Sequence, residues 1–95
     1  MDKAEARDLL LNELTSYRRR PYQDLAKLVG TNADVQVRGP SGVQYAIEID
    51  VVWDRPGEPG NIRVLGGIDD GRLPGAMFPL CEDFIMSPAG TFIGE

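Results

Sequence analysis

The chain has 95 residues, 42% hydrophobic and 26% charged, with a formal net charge of -5 and a pI near 4.6. That length allows one small domain with a modest core, and no apolar run comes near the roughly 18 residues a membrane helix needs. It contains no histidine, which removes Ser-His-Asp and Cys-His nucleophile activation and the imidazole on which most zinc and iron sites depend.

Residues 2–19 read as a helix. Asp2 can cap it, and Glu5 stands three residues on, the spacing of a capping box. Leu10, Leu14 and Tyr17 fall at i, i+4 and i+7, with Ala6 and Leu11 widening the apolar stripe. Asp2, Glu5 and Asp8 load the first turns, and Arg18, Arg19 and Arg20 the last, so both ends complement the helix dipole. Pro21 disfavours helical geometry at Arg20 and ends the helix. A second helix follows over 21–29, with Pro21 at N1, Gly30 just past the end, and Tyr22, Leu25, Leu28 and Val29 on the buried face. GTNAD, 30–34, reads as a loop.

Strands begin at 35–38, where Val35 and Val37 alternate with Gln36 and Arg38. GPSG makes a tight turn. The clearest signal follows over 43–53. Val43, Tyr45, Ile47, Ile49, Val51 and Trp53 take every second place, with Gln44, Ala46, Glu48 and Asp50 between them. This is the pattern of a long strand with one dry face and one wet face. DRPGEPGN reads as a loop. Alternation resumes over 61–68, where pairing Trp53 with Ile62 and Val51 with Val64 keeps the apolar residues on one side. Gly66 and Gly67 mark a bulge or a close backbone approach. The remainder is short apolar pieces split by Pro79 and Pro88. SPAG is a type I turn between FIM and TFI, which form a small terminal hairpin. Helices first and strands after predict an α+β fold: two N-terminal helices packed on one face of a mostly antiparallel sheet of three to five strands.

Four features are candidates for function. In GGIDDGRLPG, the adjacent Asp69 and Asp70 are either a carboxylate site for a hard metal or a turn in which Gly71 supplies a positive φ. A phosphate loop is disfavoured, because both acids face the anion and RLPGAMFP starts no useful helix. In YRRRPY, the arginines Arg18, Arg19 and Arg20 beside two tyrosines either bind an anion or RNA, or simply complete a helix C-terminus. Glu48 and Asp50 lie on the wet strand face, where Arg38 or Arg63 can pair with them. With Arg63 and Leu65 they make a candidate partner-binding surface. Cys81, flanked by Glu82 and Asp83, is disfavoured as a nucleophile and reads as a packed thiol. No cofactor is expected.

SYRRRPYQDLAKLVG, YAIEIDVVWD and above all DDG…FPLCEDFIMSPAGTFIGE carry a resemblance to a group of small uncharacterised bacterial proteins. Those proteins share Asp-Asp-Gly, Pro-Leu, Phe-Ile, Pro-x-Gly, Phe and a terminal Gly-Glu. The resemblance implies a bacterial α+β domain and carries no catalytic residue with it.

Charge is unevenly spread. Residues 1–47 carry seven basic and six acidic groups, and residues 48–95 carry three basic and nine acidic groups. An acidic surface repels phosphate backbones and suits a basic protein. MDKAEARDLLLNEL, with both charge signs among its apolar residues, is unlike a secretory leader, and a lone cysteine fits a reducing cytoplasm. The sequence therefore predicts a cytoplasmic, non-enzymatic binding protein, monomer or homodimer, with a macromolecular partner. An antitoxin or immunity-type protein is one form of it. The alternative is a carboxylate-dependent metal or small-ligand protein built on Asp69 and Asp70.

Overall fold

Asp2 begins the first helix as expected: its carboxylate accepts from the Glu5 N–H at 3.1 Å, and α1 runs over Lys3–Arg18. The capping box is not reciprocal, because the Glu5 carboxylate instead accepts from the Ser41 hydroxyl at 2.8 Å. In this computed structural model, residues 1–71 and 80–95 are described. The predicted pieces around Pro79 lie largely outside them. Helix α2 (Tyr22–Leu28) follows. Pro21 is its N-cap rather than its N1 residue, with the extended ψ of 155° that a cap takes.

Four strands then form an antiparallel meander in chain order: β1 (Asn32–Arg38), β2 (Gln44–Arg55), β3 (Glu58–Asp69) and β4 (Leu80–Met86). The α+β class and the pairing of Trp53 with Ile62 and Val51 with Val64 are as predicted. Two loop readings are corrected. Asn32 to Asp34 belong to β1, where they pair with Asp50 to Glu48. DRPGEPGN is mostly strand, because Arg55 pairs with Glu58 across a turn made by Pro56 and Gly57. The register shifts between Trp53 and Arg55, so the ladder absorbs the prolines as an irregularity instead of stopping.

The other two reversals share one device. In Gly39–Pro40–Ser41–Gly42–Val43 and in Ser87–Pro88–Ala89–Gly90–Thr91, the first N–H donates to the last carbonyl at 2.8 Å. The glycine N–H donates back to the first carbonyl, and the glycine takes φ +90° or +82°. This is a type I turn closed by a left-handed residue, the usual three-residue hairpin loop. The terminal hairpin is thus present but brief, a single bridge between Met86 and Phe92.

Tyr45, Ile47, Ile49 and Val51 are buried beneath the helices with Ile62, Val64, Ile68, Phe84 and Met86, while Val43 and Trp53 at the strand ends are half-buried. From above, α1 contributes Ala6, Leu10 and Leu14, and α2 contributes Leu25. Leu11, expected on the apolar stripe, is 41% exposed. The helix presents its i, i+4 row of 6, 10 and 14 to the sheet, and residue 11 is turned away from that row.

The helix lies over β3 and β4, and the reason is Gly66. A Cβ there would stand 2.7 Å from Leu10 Cδ1, 3.2 Å from Ile49 Cδ1 and 3.3 Å from Leu14 Cδ2. The β2–β3 ladder runs through Gly66 and Gly67 unbroken, so the pair marks close approach and not a bulge.

Ile47→Ala and Ile49→Ala each cost roughly 2–5 kcal/mol in urea unfolding, because each leaves a cavity in a filled core, whereas Leu11→Ala changes stability by less than about 0.5 kcal/mol. Gly66→Ala is destabilising by roughly 1–3 kcal/mol, since Leu10 and Leu14 are packed on every side and must move to admit one methyl. A neutral or stabilising Gly66→Ala in the same assay contradicts the seating of α1.

Candidate functional site

Strand alternation sends every second side chain away from the helices. On that uncovered face β1 places Asn32, Asp34, Gln36 and Arg38, and β2 places Ala46, Glu48, Asp50 and Val52. Arg63, Leu65, Gly67 and Asp69 of β3 follow, with Cys81, Asp83 and Ile85 of β4. Glu48 and Cys81 flank Gly67, and Asp50 and Asp83 flank Leu65. Since Gly67 has no side chain, the face is dented there. The hollow holds about 290 Å³ and is lined by Glu48, Asp50, Leu65, Gly66, Gly67, Asp69 and Cys81.

The predicted partner surface of Glu48, Asp50, Arg63 and Leu65 is therefore one contiguous face, but its charge pairing differs from expectation. Arg63 turns from Glu48 and Asp50 toward Asp54 and Asp83. Its Nε and Nη2 donate to Asp54 Oδ1 at 3.1 and 3.0 Å, and Nη1 donates to Asp83 Oδ2 at 2.7 Å. Hydrogen bonding to Asp54, with the charges of Asp54 and Asp83, holds the Arg63 guanidinium above its ordinary pKa. Glu48 and Asp50 are held by an amide instead: Asn32 Nδ2 donates to Asp50 Oδ1 at 2.6 Å and to Glu48 Oε1 at 3.1 Å. Asn32 was hidden in the sequence, because GTNAD has no strand alternation to place it. Among the described residues, no ion pair reaches Glu48, Asp50 or Asp69. Arg63 offsets part of the charge of Asp54 and Asp83, and among the described residues the carboxylates around the hollow have no cationic partner.

Asp69 and Asp70 do not converge. Asp69 Oδ1 accepts from the Gly71 N–H at 2.8 Å, an Asx turn, and its side chain lines the hollow. Asp70, one residue on, places Oδ2 3.8 Å from the Met1 ammonium. Asp69 ends β3 with its side chain on the open face, and the chain leaves the strand at Asp70, so the two adjacent carboxylates face different surroundings. Among the described residues, no group of three or more cysteines and acids is arranged to hold a metal ion.

The three arginines do not converge either. Arg18 is built into the structure. Its guanidinium lies 4.8 Å from the Phe84 ring centroid and 4.7 Å from that of Phe92, two rings that meet edge to face. Nη1 and Nη2 donate to the two Glu95 oxygens at 2.8 and 2.7 Å. Arg20, just past the end of α1, stacks on Tyr17, 5.3 Å from the ring centroid, and Arg19 is exposed. The helix-end reading of YRRRPY thus accounts for Arg18 and Arg20, with Arg18 fastening α1 to the chain's last residues. Cys81 corrects another expectation: it is exposed and not packed. Phe84 and Met86 occupy the core face of β4, so the odd positions, Cys81 among them, go to the open face.

No described helix is long and apolar enough to cross a membrane. Comparison with protein-family models, with curated proteins and with solved structures returned no match.

The Arg18–Glu95 pair supplies a pH signature. Hydrogen bonding from Arg18, reinforced by its charge, lowers the Glu95 pKa from its ordinary 4.5. A carboxyl whose folded pKa lies below its unfolded value stabilises above the unfolded value and loses that contribution as pH falls through the folded one. Glu95→Gln therefore lowers the melting temperature near neutrality, and the gap to the parent protein closes as pH falls below about 4.5. Thermal melts across that range check it, and a gap that is constant with pH contradicts it.

Proposed function

We propose that this chain is a non-enzymatic binding protein whose uncovered sheet face docks against a basic protein. The observation that carries the reading is the acidity around the Gly67 hollow, which no ion pair among the described residues compensates. Glu48 and Asp50 are fixed by Asn32, Asp69 stands at the rim, and the exposed Leu65 adds an apolar contact beside them. A lysine or arginine side chain fits such a hollow: its stem lies along Leu65 and the floor at Gly67, and its charge meets the carboxylates. The acidic second half of the chain supports the same partner and disfavours nucleic acid. The lone cysteine, left exposed on this face, and the resemblance to small bacterial proteins support a bacterial cytoplasm as the setting. An antitoxin or immunity-type role is one form the activity takes.

Affinity capture from a bacterial lysate at low and moderate salt tests this, run beside Glu48→Lys/Asp50→Lys with circular dichroism to show that the variant is folded. The expected result is a basic protein whose purified form binds the parent and loses roughly tenfold or more in affinity to the variant. Its binding to the parent also weakens as salt rises. Failure to recover such a protein, or a captured protein indifferent to the charge reversal, overturns the reading.

A further inference from the structure

The two edges of the sheet are treated differently. At β4 the C-terminal residues close part of the edge, with the Ile93 N–H donating to the Ile85 carbonyl at 2.9 Å. At the other edge β1 pairs with β2 on its inner side and, among the described residues, with no strand on its outer side. The Gly39 N–H donates across to Val43 at 2.8 Å, so odd residues of this strand turn their backbone groups inward. By alternation, Asn32, Asp34, Gln36 and Arg38 turn theirs outward. Proteins block such edges with proline, lysine or a bulge. The β1 sequence NADVQVR has no proline or lysine, and its seven pairs with β2 run without a shift.

This edge is also complementary to itself. If a second copy approaches antiparallel with Gln36 opposite Gln36, then Asp34 meets Arg38 of the other copy and Arg38 meets its Asp34. On the helix side, Val35 meets Val37. Gln36 is an outward-facing residue, so this register makes a hydrogen-bonded pair at the centre, as an antiparallel ladder requires. Within one chain these groups are poorly served. Asp34 stands directly across the ladder from Glu48, a like charge. None of the ion pairs among the described residues includes Asp34 or Arg38. Val35 and Val37 are only half-buried, because α1 packs over β3 and β4 at the far side of the sheet.

We propose that β1 is the surface through which two copies of this chain associate, edge to edge and antiparallel about Gln36, joining two four-stranded sheets into one of eight strands. A two-fold axis perpendicular to the sheet keeps the faces in register. Both helical layers then lie on one side and both acidic faces on the other, which gives a continuous docking surface for two basic segments. The pairing rests on the edge alone and stands whether or not the open face binds a basic protein.

Charge reversal tests it with the full chain. Sedimentation velocity over a micromolar to submillimolar series is expected to show the parent passing from monomer to dimer. Asp34→Arg places arginine opposite arginine at both ends of the ladder, and Arg38→Asp places aspartate opposite aspartate. Each is expected to weaken the dimer roughly tenfold or more. Mixed in equal amounts, the two variants form a heterodimer of near-parental affinity, because one strand then carries two arginines and the other two aspartates. Gln36→Lys, which sets two lysines together on the axis, is an independent disruption, and circular dichroism shows that each variant is folded. A parent that stays monomeric throughout overturns the proposal and leaves the edge to a strand from another protein. A dimer indifferent to the single reversals, or variants that fail to pair when mixed, overturns it as well.

Discussion

The structure depends on one close approach, that of α1 to the backbone of β3 at Gly66. Leu10 and Leu14 reach into the space a side chain there would fill, and this seats the helix over β3 and β4. Everything else about the molecule's surfaces follows. Both helices lie on one face of the four-stranded sheet, so among the described residues the second face is left without a helix. Because α1 packs chiefly over β3 and β4, the valines of β1 remain half-buried at the margin. The neighbouring glycine completes the effect. Because strand residues alternate, Gly66 admits the helix on one face and Gly67 leaves the hollow on the other. Two adjacent glycines thus set the position of the core helix and the shape of the candidate site.

The charges sort into those that hold the fold and those left for something else. Arg18 is clasped between aromatic rings and the Glu95 carboxylate, tying the end of the first helix to the end of the chain. Arg63 spans β2 to β4 by engaging Asp54 and Asp83. Of the two, Arg63 lies on the same face as Glu48 and Asp50, and its guanidinium is committed to Asp54 and Asp83. What remains is a cluster of carboxylates around Gly67, organised by an asparagine amide. Surface ion pairs of this kind contribute little to stability individually. Their consequence here is that, among the described residues, positive charge is committed at Asp54 and Asp83 and none is paired with the carboxylates at the hollow.

The open edge and the open face are connected by the same economy of helix. A protein of this size has limited apolar surface to bury, and a partner can supply what the chain lacks. Edge pairing extends the sheet without altering either face, so association through β1 and docking on the acidic face do not compete for the same groups. The like-charge neighbours Asp34 and Glu48 lie where these two surfaces meet.

Much of this was legible in the residues. Period-two alternation from Val43 to Trp53 places the central strand and its buried face without any structure, because a strand's side chains can only alternate. The same arithmetic yields the register with Ile62 and Val64. Asp2, Pro21 and Gly30 bound the helices through local backbone chemistry, and Pro-x-Gly marks both three-residue turns. Other features depend on where distant segments meet. The sequence makes Asp69 and Asp70 neighbours, while the fold gives one to the hollow and the other to the start of the chain. It offers Arg63 to Glu48 and Asp50, while the sheet sets Asp54 and Asp83 within its reach. It groups Arg18 with Arg19 and Arg20, while packing commits Arg18 to rings and a carboxylate more than seventy residues away. Leu11 and Cys81 went to the solvent side because helix phase and strand parity are set by what packs opposite. Local geometry and hydrophobic period, which act over a few residues, therefore determined the elements, their order and the buried face from sequence alone. The pairing of charges and the seat of α1 were decided only by the tertiary structure, because a long side chain can reach several partners and packing alone selects among them.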